Sequence, residues 1–287
     1  MPSGKRARQE RQKAAAAAPP PVRSKGVGGA RARQASPRAL AIGGGVALVV
    51  VIAIVLAVVL GSGGSGGGSG IVTKADLDGL GTTGTASSQI ALPGAKEANN
   101  LFKGIHQKGL VLGDPKAPVT MEMFIDVQCP VCQDYEVVHL PGVVKKYIAD
   151  GKVQLHLQPW AFLGSQSFTG RAGVIAAADQ NKGFEYAKVL YDNQGTEETG
   201  WLTGKEMAAI AASVNGLNLA KWRDDVNSSA TKATANNVDK LAAQKNVTGT
   251  PTILVGPTGG KLQVATGGSG YDPTGVDQAL AAAVANS

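Results

Sequence analysis

Length, charge and cysteine content narrow the classes of protein that this chain can represent. It has 287 residues and a formal net charge of +7, but ten basic residues against one acid within residues 1–39 carry all of that excess. The remainder holds 18 basic and 20 acidic residues, which argues against a nucleic-acid-binding body. Two cysteines exclude a disulfide-dense scaffold and a four-cysteine zinc module.

An uncharged, apolar stretch covers residues 40–60. At a helical rise of ~1.5 Å per residue it would extend roughly 31 Å, about the thickness of the hydrocarbon core of a bilayer, and it predicts one transmembrane helix. Because the basic residues lie on its N-terminal side, the positive-inside rule predicts a disordered cytoplasmic tail at 1–39 and an extracytoplasmic location after the span. A cleaved signal peptide is the alternative, although this stretch exceeds the 7–15 apolar residues typical of such peptides.

A segment rich in glycine, serine, threonine and alanine follows at residues 61–99. Its first ten residues read GSGGSGGGSG, a composition typical of a flexible coil. The rest shows little hydrophobic periodicity, so we predict a flexible linker over the whole segment. Residues 100–287 are then long enough to form one domain with a buried core.

The first half of this domain alternates strand and helix patterns. An apolar run at 119–126 predicts a buried strand, and the stretch 130–150 predicts a helix with a kink at Pro141. Apolar and polar residues alternate over 153–158, which predicts a half-buried strand. The strand at 119–126 therefore leads almost directly into a helix.

The second half of the domain begins with a long helical block. Residues 167–245 are rich in alanine, lysine, glutamine and leucine, which are strong helix formers. Two short strands are predicted at 253–255 and 262–265, followed by a closing helix at 277–285. Alternation of this kind is typical of an α/β fold with a central sheet.

The two cysteines, Cys129 and Cys132, lie at the predicted junction of strand and helix. With Pro130 at the first helical position, the Cys129 sulfur would face unpaired backbone N–H groups and the positive end of the helix dipole. Such a position stabilises a thiolate and lowers a cysteine pKa from about 8.5 to between roughly 3.5 and 7.5. We therefore predict Cys129 as the nucleophile and Cys132, one turn deeper, as the resolving thiol.

Other interpretations of this Cys-x-x-Cys pair are a structural disulfide, a zinc site and a chance occurrence. A four-residue disulfide loop contributes only about 2 kcal/mol in the chain-entropy model, so the pair would be a weak cross-link. A zinc site needs two more ligands, and the spacing to His106, His139 and His156 does not match a zinc finger. We expect His139 to pack at the surface near the helix kink and His156 to point to solvent.

Two motifs resemble the signatures of the DsbA-like thioredoxin-fold family. The first combines a G-D-P-x-A-P-V stretch with an F-x-D-x-Q-C-P-x-C stretch, and consists of Gly113, Asp114, Pro115, Ala117, Pro118, Val119, Phe124, Asp126, Gln128, Cys129, Pro130 and Cys132. The second, about 120 residues later, consists of Gly249, Thr250, Pro251 and Thr252. The resemblance implies a thioredoxin fold with a helical subdomain inserted at about 167–245.

The resemblance also implies the layout of the active site. Thr250 and Pro251, the latter in the cis form, would lie beside Cys129 and present backbone to an extended substrate peptide. Pro130 and Val131 would tune the reactivity of Cys129. Val131 stands where strongly oxidising DsbA proteins have histidine, so one stabiliser of the thiolate is missing.

An acid that many family members place six residues before the nucleophile is replaced here by Met123. Glu122, its neighbour, falls on the opposite face of the predicted strand. Asp126 could substitute in part, and a turn-capping role is the alternative interpretation. Trp160 and Phe162 are expected to pack in the core, with a place at the border of the active surface as the alternative.

Together these features predict a membrane-anchored thiol:disulfide oxidoreductase that forms disulfides in exported cysteine-containing proteins. The resemblance implies reoxidation by a membrane partner of the DsbB or vitamin K epoxide reductase type, with no bound cofactor and no metal. Two alternatives remain open. One is a disulfide reductase or isomerase kept reduced by a membrane partner, and the other is a redox-inert binding module on a tether.

Overall fold

The structure is a computed structural model that describes residues 71–81, 84–86, 91–266 and 271–287. The predicted basic tail and transmembrane segment lie outside these residues. Within the described ranges, no helix is both long enough and apolar enough to cross a membrane.

A mixed sheet forms the centre of the fold, and its strands follow the order β1-β2-β4-β3-β5-β6. The strands are β1 (Gln107–Lys108), β2 (Val111–Leu112), β3 (Val119–Ile125), β4 (Val153–Pro159), β5 (Thr252–Pro257) and β6 (Gln263–Thr266). The neighbours β3 and β4 run parallel, whereas the other neighbouring pairs are antiparallel. All seven residues of β3 are buried, as expected for a strand covered on both faces.

The helix after β3 begins at Pro130 and changes type along its length. Its segments are α3 (Pro130–Asp134), the π-helical π1 (Tyr135–His139), α4 (Leu140–Val143) and the π-helical π2 (Val144–Ile148). Pro141, which cannot donate a backbone hydrogen bond, lies in α4 between the two π-helical segments. We call the four segments together the active-site helix.

Five helices separate β4 from β5 and form the predicted helical insertion. They are α5 (Ser165–Ala178), α6 (Gly183–Asp192), α7 (Gly204–Ala212), α8 (Leu219–Val226) and α9 (Ser229–Gln244). Fully buried Trp222 lies 5.6 Å from the ring of Tyr186 and donates its indole N–H to the Gly173 carbonyl at 3.0 Å. A last helix, α10 (Pro273–Ala285), follows β6.

The prediction of a flexible linker over residues 61–99 is wrong for its described part. Helix α1 (Lys74–Asp78) begins with a capping box in which Thr73 and Asp76 bond to each other's backbone N–H groups. Leu77 is buried in the main core cluster, and α2 (Ala95–Leu101) also contributes buried residues to it. Capping and a few apolar side chains thus order a stretch whose overall composition is typical of a linker.

Candidate active site

The two cysteines lie where β3 gives way to the active-site helix. Residues 126–129, which we call the active-site turn, close with a hydrogen bond from the Cys129 N–H to the Asp126 carbonyl at 3.0 Å. Cys129 is the N-cap residue, with φ −71° and ψ 119°, and Pro130 follows at the start of α3. Cys129 is 5% exposed and Cys132 is fully buried, so Cys129 is the more accessible of the two sulfurs.

The environment of the pair makes the two thiols differ in acidity. The pKa of Cys129 is lowered from 9.0 to about 6, chiefly by the hydrogen bond from the Cys132 side chain, then by Thr250 and the backbone N–H groups of Cys132 and Val131. Burial raises the pKa of Cys132 well above its ordinary value, and the neighbouring Cys129 adds to this effect. At neutral pH Cys129 is therefore mainly a thiolate, and the Cys132 thiol donates to it.

The loop before β5 brings Thr250 and Pro251 to the same sulfur. The Thr250–Pro251 peptide bond is cis, the isomer that the resemblance implies. As a thiol, Cys129 donates to the Thr250 carbonyl at 3.4 Å, which favours the protonated form. The buried Thr250 hydroxyl has no other hydrogen-bond partner among the described residues. It can therefore donate to the Cys129 thiolate, and this lowers the pKa of Cys129. The lowered pKa indicates that the donors prevail.

Asp126 organises the active-site turn through its carboxylate. One oxygen accepts from the Gln128 N–H at 2.9 Å and the Ser167 hydroxyl at 2.6 Å, and the other accepts from the N–H groups of Phe162 and Leu163 at 2.8 and 3.0 Å. These four bonds identify Asp126 as a turn cap, which was one of its two predicted roles.

Glu122 lies on the other face of β3 from Met123, as the strand alternation predicts. Its carboxylate is 3.0 Å from the Lys245 ammonium and accepts from the Gln158 amide at 3.1 Å. Met123 is fully buried among apolar residues of the main core cluster. No acid therefore occupies the strand position six residues before Cys129.

Apolar side chains lie near the active-site turn. Val131, next to the nucleophile, is 36% exposed, and Phe162 is 41% exposed. Phe162 stacks on Trp160 with ring centroids 4.6 Å apart, and its N–H is one of the three backbone N–H groups that donate to the Asp126 carboxylate. The expectation that Phe162 packs in the core is therefore wrong, because the cap by Asp126 fixes its backbone at the turn and leaves its ring at the surface.

The fold and the site agree with comparisons to known proteins. The family model described as thioredoxin matches residues 106–261, more than half of the chain. The chain belongs to this thioredoxin family.

The similar proteins include a disulfide bond formation protein and the solved structures of BdbD and DsbA. The chain is 27% identical over 175 residues to a probable disulfide bond formation protein D of Bacillus cereus, covering 60% of this chain and 80% of that protein. The crystal structure of oxidised BdbD from Bacillus subtilis matches with a TM-score of 0.54 at 18% identity, covering 71% of this chain and all of that one. DsbA from Chlamydia trachomatis matches with a TM-score of 0.51 at 18% identity, covering 60% and 90%. The resemblance to DsbA-like proteins is thus confirmed.

This thioredoxin-family chain also holds a buried acid that sequence reasoning missed. Glu136, one helical turn after Cys132, is 2% exposed, and burial raises its pKa to about 8. The nearby Lys188 lowers that pKa and Asp192 raises it. Its spacing of four residues from Cys132 was visible in the sequence, but its burial depends on helix α6 of the insertion.

His139 and His156 each have a polar partner other than the two cysteines. His139 lies 3.5 Å from the Asp134 carboxylate and contacts the rings of Tyr135 and Tyr271, with centroids 6.0 and 6.3 Å away. His156 is half-buried, so the expectation that it points to solvent is wrong. Its ring forms a hydrogen bond with the Gln154 side chain at 3.0 Å, and burial lowers its pKa. Within the described chain, no group of three or more His, Cys, Asp or Glu residues could hold a metal ion.

Proposed function

We propose that this chain is a membrane-anchored, extracytoplasmic thiol:disulfide oxidoreductase that forms disulfides in exported proteins. The observation that carries the proposal is the position of Cys129 at the N-cap of the active-site helix, 3.4 Å from the Thr250 carbonyl, with Cys132 fully buried one turn deeper. This placement lowers the pKa of Cys129 and raises that of Cys132. A stabilised thiolate at Cys129 is a good leaving group and favours the reduced form of the enzyme, so it drives the transfer of a disulfide to a substrate. The relatives named as disulfide bond formation proteins support the same assignment.

The reaction proceeds by two exchanges at sulfur. A substrate thiolate attacks Cys129 of the oxidised enzyme, a new S–S bond forms, and the Cys129–Cys132 bond breaks with Cys132 leaving and taking up a proton. A second substrate thiolate then attacks the substrate sulfur of this mixed disulfide and releases Cys129 as a thiolate. Two electrons pass from substrate to enzyme. A membrane partner of the DsbB or vitamin K epoxide reductase type would accept them.

Thr250 and Pro251 are assigned to substrate binding. Proline has no N–H, so Pro251 leaves the side of the loop next to Cys129 without a backbone donor, while the Thr250 backbone can pair with an extended peptide. The Thr250 carbonyl lies 3.4 Å from the Cys129 sulfur, so a peptide paired with this backbone would lie next to the reacting atom. Pro130 and Val131 tune the nucleophile, Pro130 by starting the helix and Val131 by its N–H.

The location rests on the sequence of the N-terminal region. The uncharged residues 40–60 would anchor the chain in the lipid bilayer, and the basic residues 1–39 would remain in the cytoplasm. The catalytic domain would then face exported substrates and share a membrane with its reoxidant.

A disulfide reductase or isomerase is a second candidate, and Val131 is the observation that favours it. Val131 is apolar and supplies no positive charge to the thiolate. We therefore expect a reduction potential between the ~−270 mV of thioredoxin and the ~−120 mV of DsbA. Equilibration of the protein with glutathione distinguishes the two functions. A potential at or below that of thioredoxin would assign the chain as a reductase.

Trapping of mixed disulfides tests the proposed function directly. In the Cys132→Ala variant of the full chain, the resolving thiol is missing, so we expect covalent adducts between Cys129 and exported cysteine-containing proteins. These adducts should run as high-mass bands on a non-reducing gel and disappear with reductant. The Cys129→Ala variant is the matched control and should give none. Equal adducts from both variants, or none from Cys132→Ala, would refute the assignment of Cys129 as nucleophile.

A further inference from the structure

Side chains of the helical insertion donate hydrogen bonds to the carbonyl groups of the active-site turn. The Tyr191 hydroxyl, at the end of α6, donates to the Asp126 carbonyl at 2.9 Å. Three residues later, the Gln194 amide donates to the Val127 carbonyl at 2.9 Å and to the Cys129 carbonyl at 3.3 Å. Three of the four carbonyls in the turn are therefore held from a part of the chain more than 60 residues away.

Further bonds join residues 191–198 to the active-site turn and to α3. The Gln133 amide, in α3, donates to the Tyr191 carbonyl at 2.8 Å, and the Glu198 N–H donates to the side-chain oxygen of Gln128 at 3.0 Å. Gln128 and Tyr191 are both buried, so water is a poor substitute for these partners. The active-site turn and residues 191–198 thus form one hydrogen-bonded unit.

We propose that Tyr191 and Gln194 are positioning residues that fix the active-site turn, so that the helical insertion sets how strongly Cys129 is held as a thiolate. The inference rests on the proposed function of Cys129 as the reactive sulfur. Among the described hydrogen bonds of these two side chains, those to the active-site turn go to backbone carbonyls and none goes to the Cys129 sulfur.

Loss of these hydrogen bonds should raise the pKa of Cys129, because the backbone donors around its sulfur would be less well aligned. The N–H groups of Val131 and Cys132 stabilise the thiolate only while the first turn of α3 points them at Cys129. Gln194 is the one side chain, among the described residues, that donates to the Val127 carbonyl. Without it, the Val127 carbonyl loses this donor, and we expect the turn and the attached helix N-terminus to shift.

Three substitutions separate this role from simple packing. Gln194→Glu keeps the size of the side chain, removes both N–H donors and places a negative charge next to the carbonyl oxygens. Gln194→Leu removes the donors without adding charge, and Tyr191→Phe removes a single hydroxyl. Gln180→Leu is the matched control, because the Gln180 amide also donates to a backbone carbonyl, that of Asn218 at 3.1 Å, within the insertion.

The experiment uses the full chain in detergent and measures three quantities for each variant. These are the pH midpoint of iodoacetamide alkylation at Cys129, the equilibrium constant with glutathione, and the thermal midpoint of unfolding. For the Gln194 and Tyr191 variants we expect a higher alkylation midpoint and a glutathione equilibrium shifted roughly 3- to 30-fold towards the oxidised enzyme. Gln194→Glu should shift furthest. Gln180→Leu should lower the thermal midpoint only.

The outcomes separate this inference from the proposed function. A wild-type protein whose alkylation midpoint is that of free cysteine would refute the proposed function, and this inference with it. A wild-type protein with an acidic midpoint, together with Gln194 and Tyr191 variants that keep that midpoint and the wild-type glutathione equilibrium, would overturn the positioning role alone. Tyr191→Phe, the mildest change, keeps the test valid if a Gln194 variant does not fold.

Discussion

At the scale of single residues, Glu136 shows how a fold can hold a carboxyl group in its neutral form. The side chain is buried beside the Lys188–Asp192 ion pair, whose atoms are 2.5 Å apart. Lys188 is already paired with Asp192, so it offsets the burial of Glu136 only in part, and the pKa rises from 4.5 to about 8. Near neutral pH most Glu136 side chains are protonated.

This protonation makes the stability of the domain depend on pH. The folded-state pKa of Glu136 exceeds its ordinary value. The protonated side chain therefore contributes fully to the stability of the folded state below about pH 4.5, and this contribution is lost as the pH rises through about 8. We expect the Glu136→Gln variant to lose less stability than the wild type between pH 5 and pH 9, measured as the denaturant midpoint. Glu97→Gln, which changes an exposed acid of α2, is the control and should follow the wild type. Parallel profiles for Glu136→Gln and the wild type would contradict the expectation.

The residues that the sequence revealed are those whose chemistry depends on near neighbours. Cys129, Pro130 and Cys132 could be assigned because strand, cap and helix follow one another within a few positions. Tyr191 and Gln194 could not, because each is an ordinary residue at a helix end whose partner lies 65 residues away. Their role comes from tertiary packing, which a single sequence does not display.

At the scale of elements, the short helix α1 tests whether the N-terminal segment belongs to the folded domain. Leu77 is 1% exposed in the main core cluster. We expect Leu77→Ala to lower the free energy of unfolding by about 2–5 kcal/mol, because it removes buried methyl groups and leaves a cavity. Lys74→Ala, on the exposed side of α1, should change it by no more than about 0.5 kcal/mol. Equal, small effects would show that this segment is a linker.

The errors at this scale have a common physical cause. Long elements such as β3 and β4 were predictable because each is long enough to show a pattern, an apolar run in β3 and an alternation of apolar and polar residues in β4. The two-residue strands β1 and β2 and the five-residue helix α1 are too short to show a period. They form because the core offers them partners, and a capped start is the only local signal in the case of α1.

At the scale of the whole molecule, three separated segments build the environment of one sulfur. The active-site turn and helix supply backbone donors, the loop at residues 250–251 supplies the Thr250 hydroxyl, and residues 191–194 of the insertion hold the turn. The acidity of Cys129 is therefore a property of the folded state. Because the pKa of Cys129 differs between the folded and unfolded states, the free energy of unfolding of the reduced protein depends on pH.

The reduced protein should therefore become more stable relative to the oxidised protein as the pH rises. The folded-state pKa of Cys129 lies below its ordinary 9.0, so its contribution is complete above about pH 9 and is lost as the pH falls through about 6. From pH 6 to pH 8 the reduced form should gain about 2 kcal/mol relative to the oxidised form, which lacks this titrating thiol. Denaturant unfolding with and without reductant measures the difference. A variant with both cysteines changed to alanine should show none, and a pH-independent difference in the wild type would mean that Cys129 has an ordinary acidity.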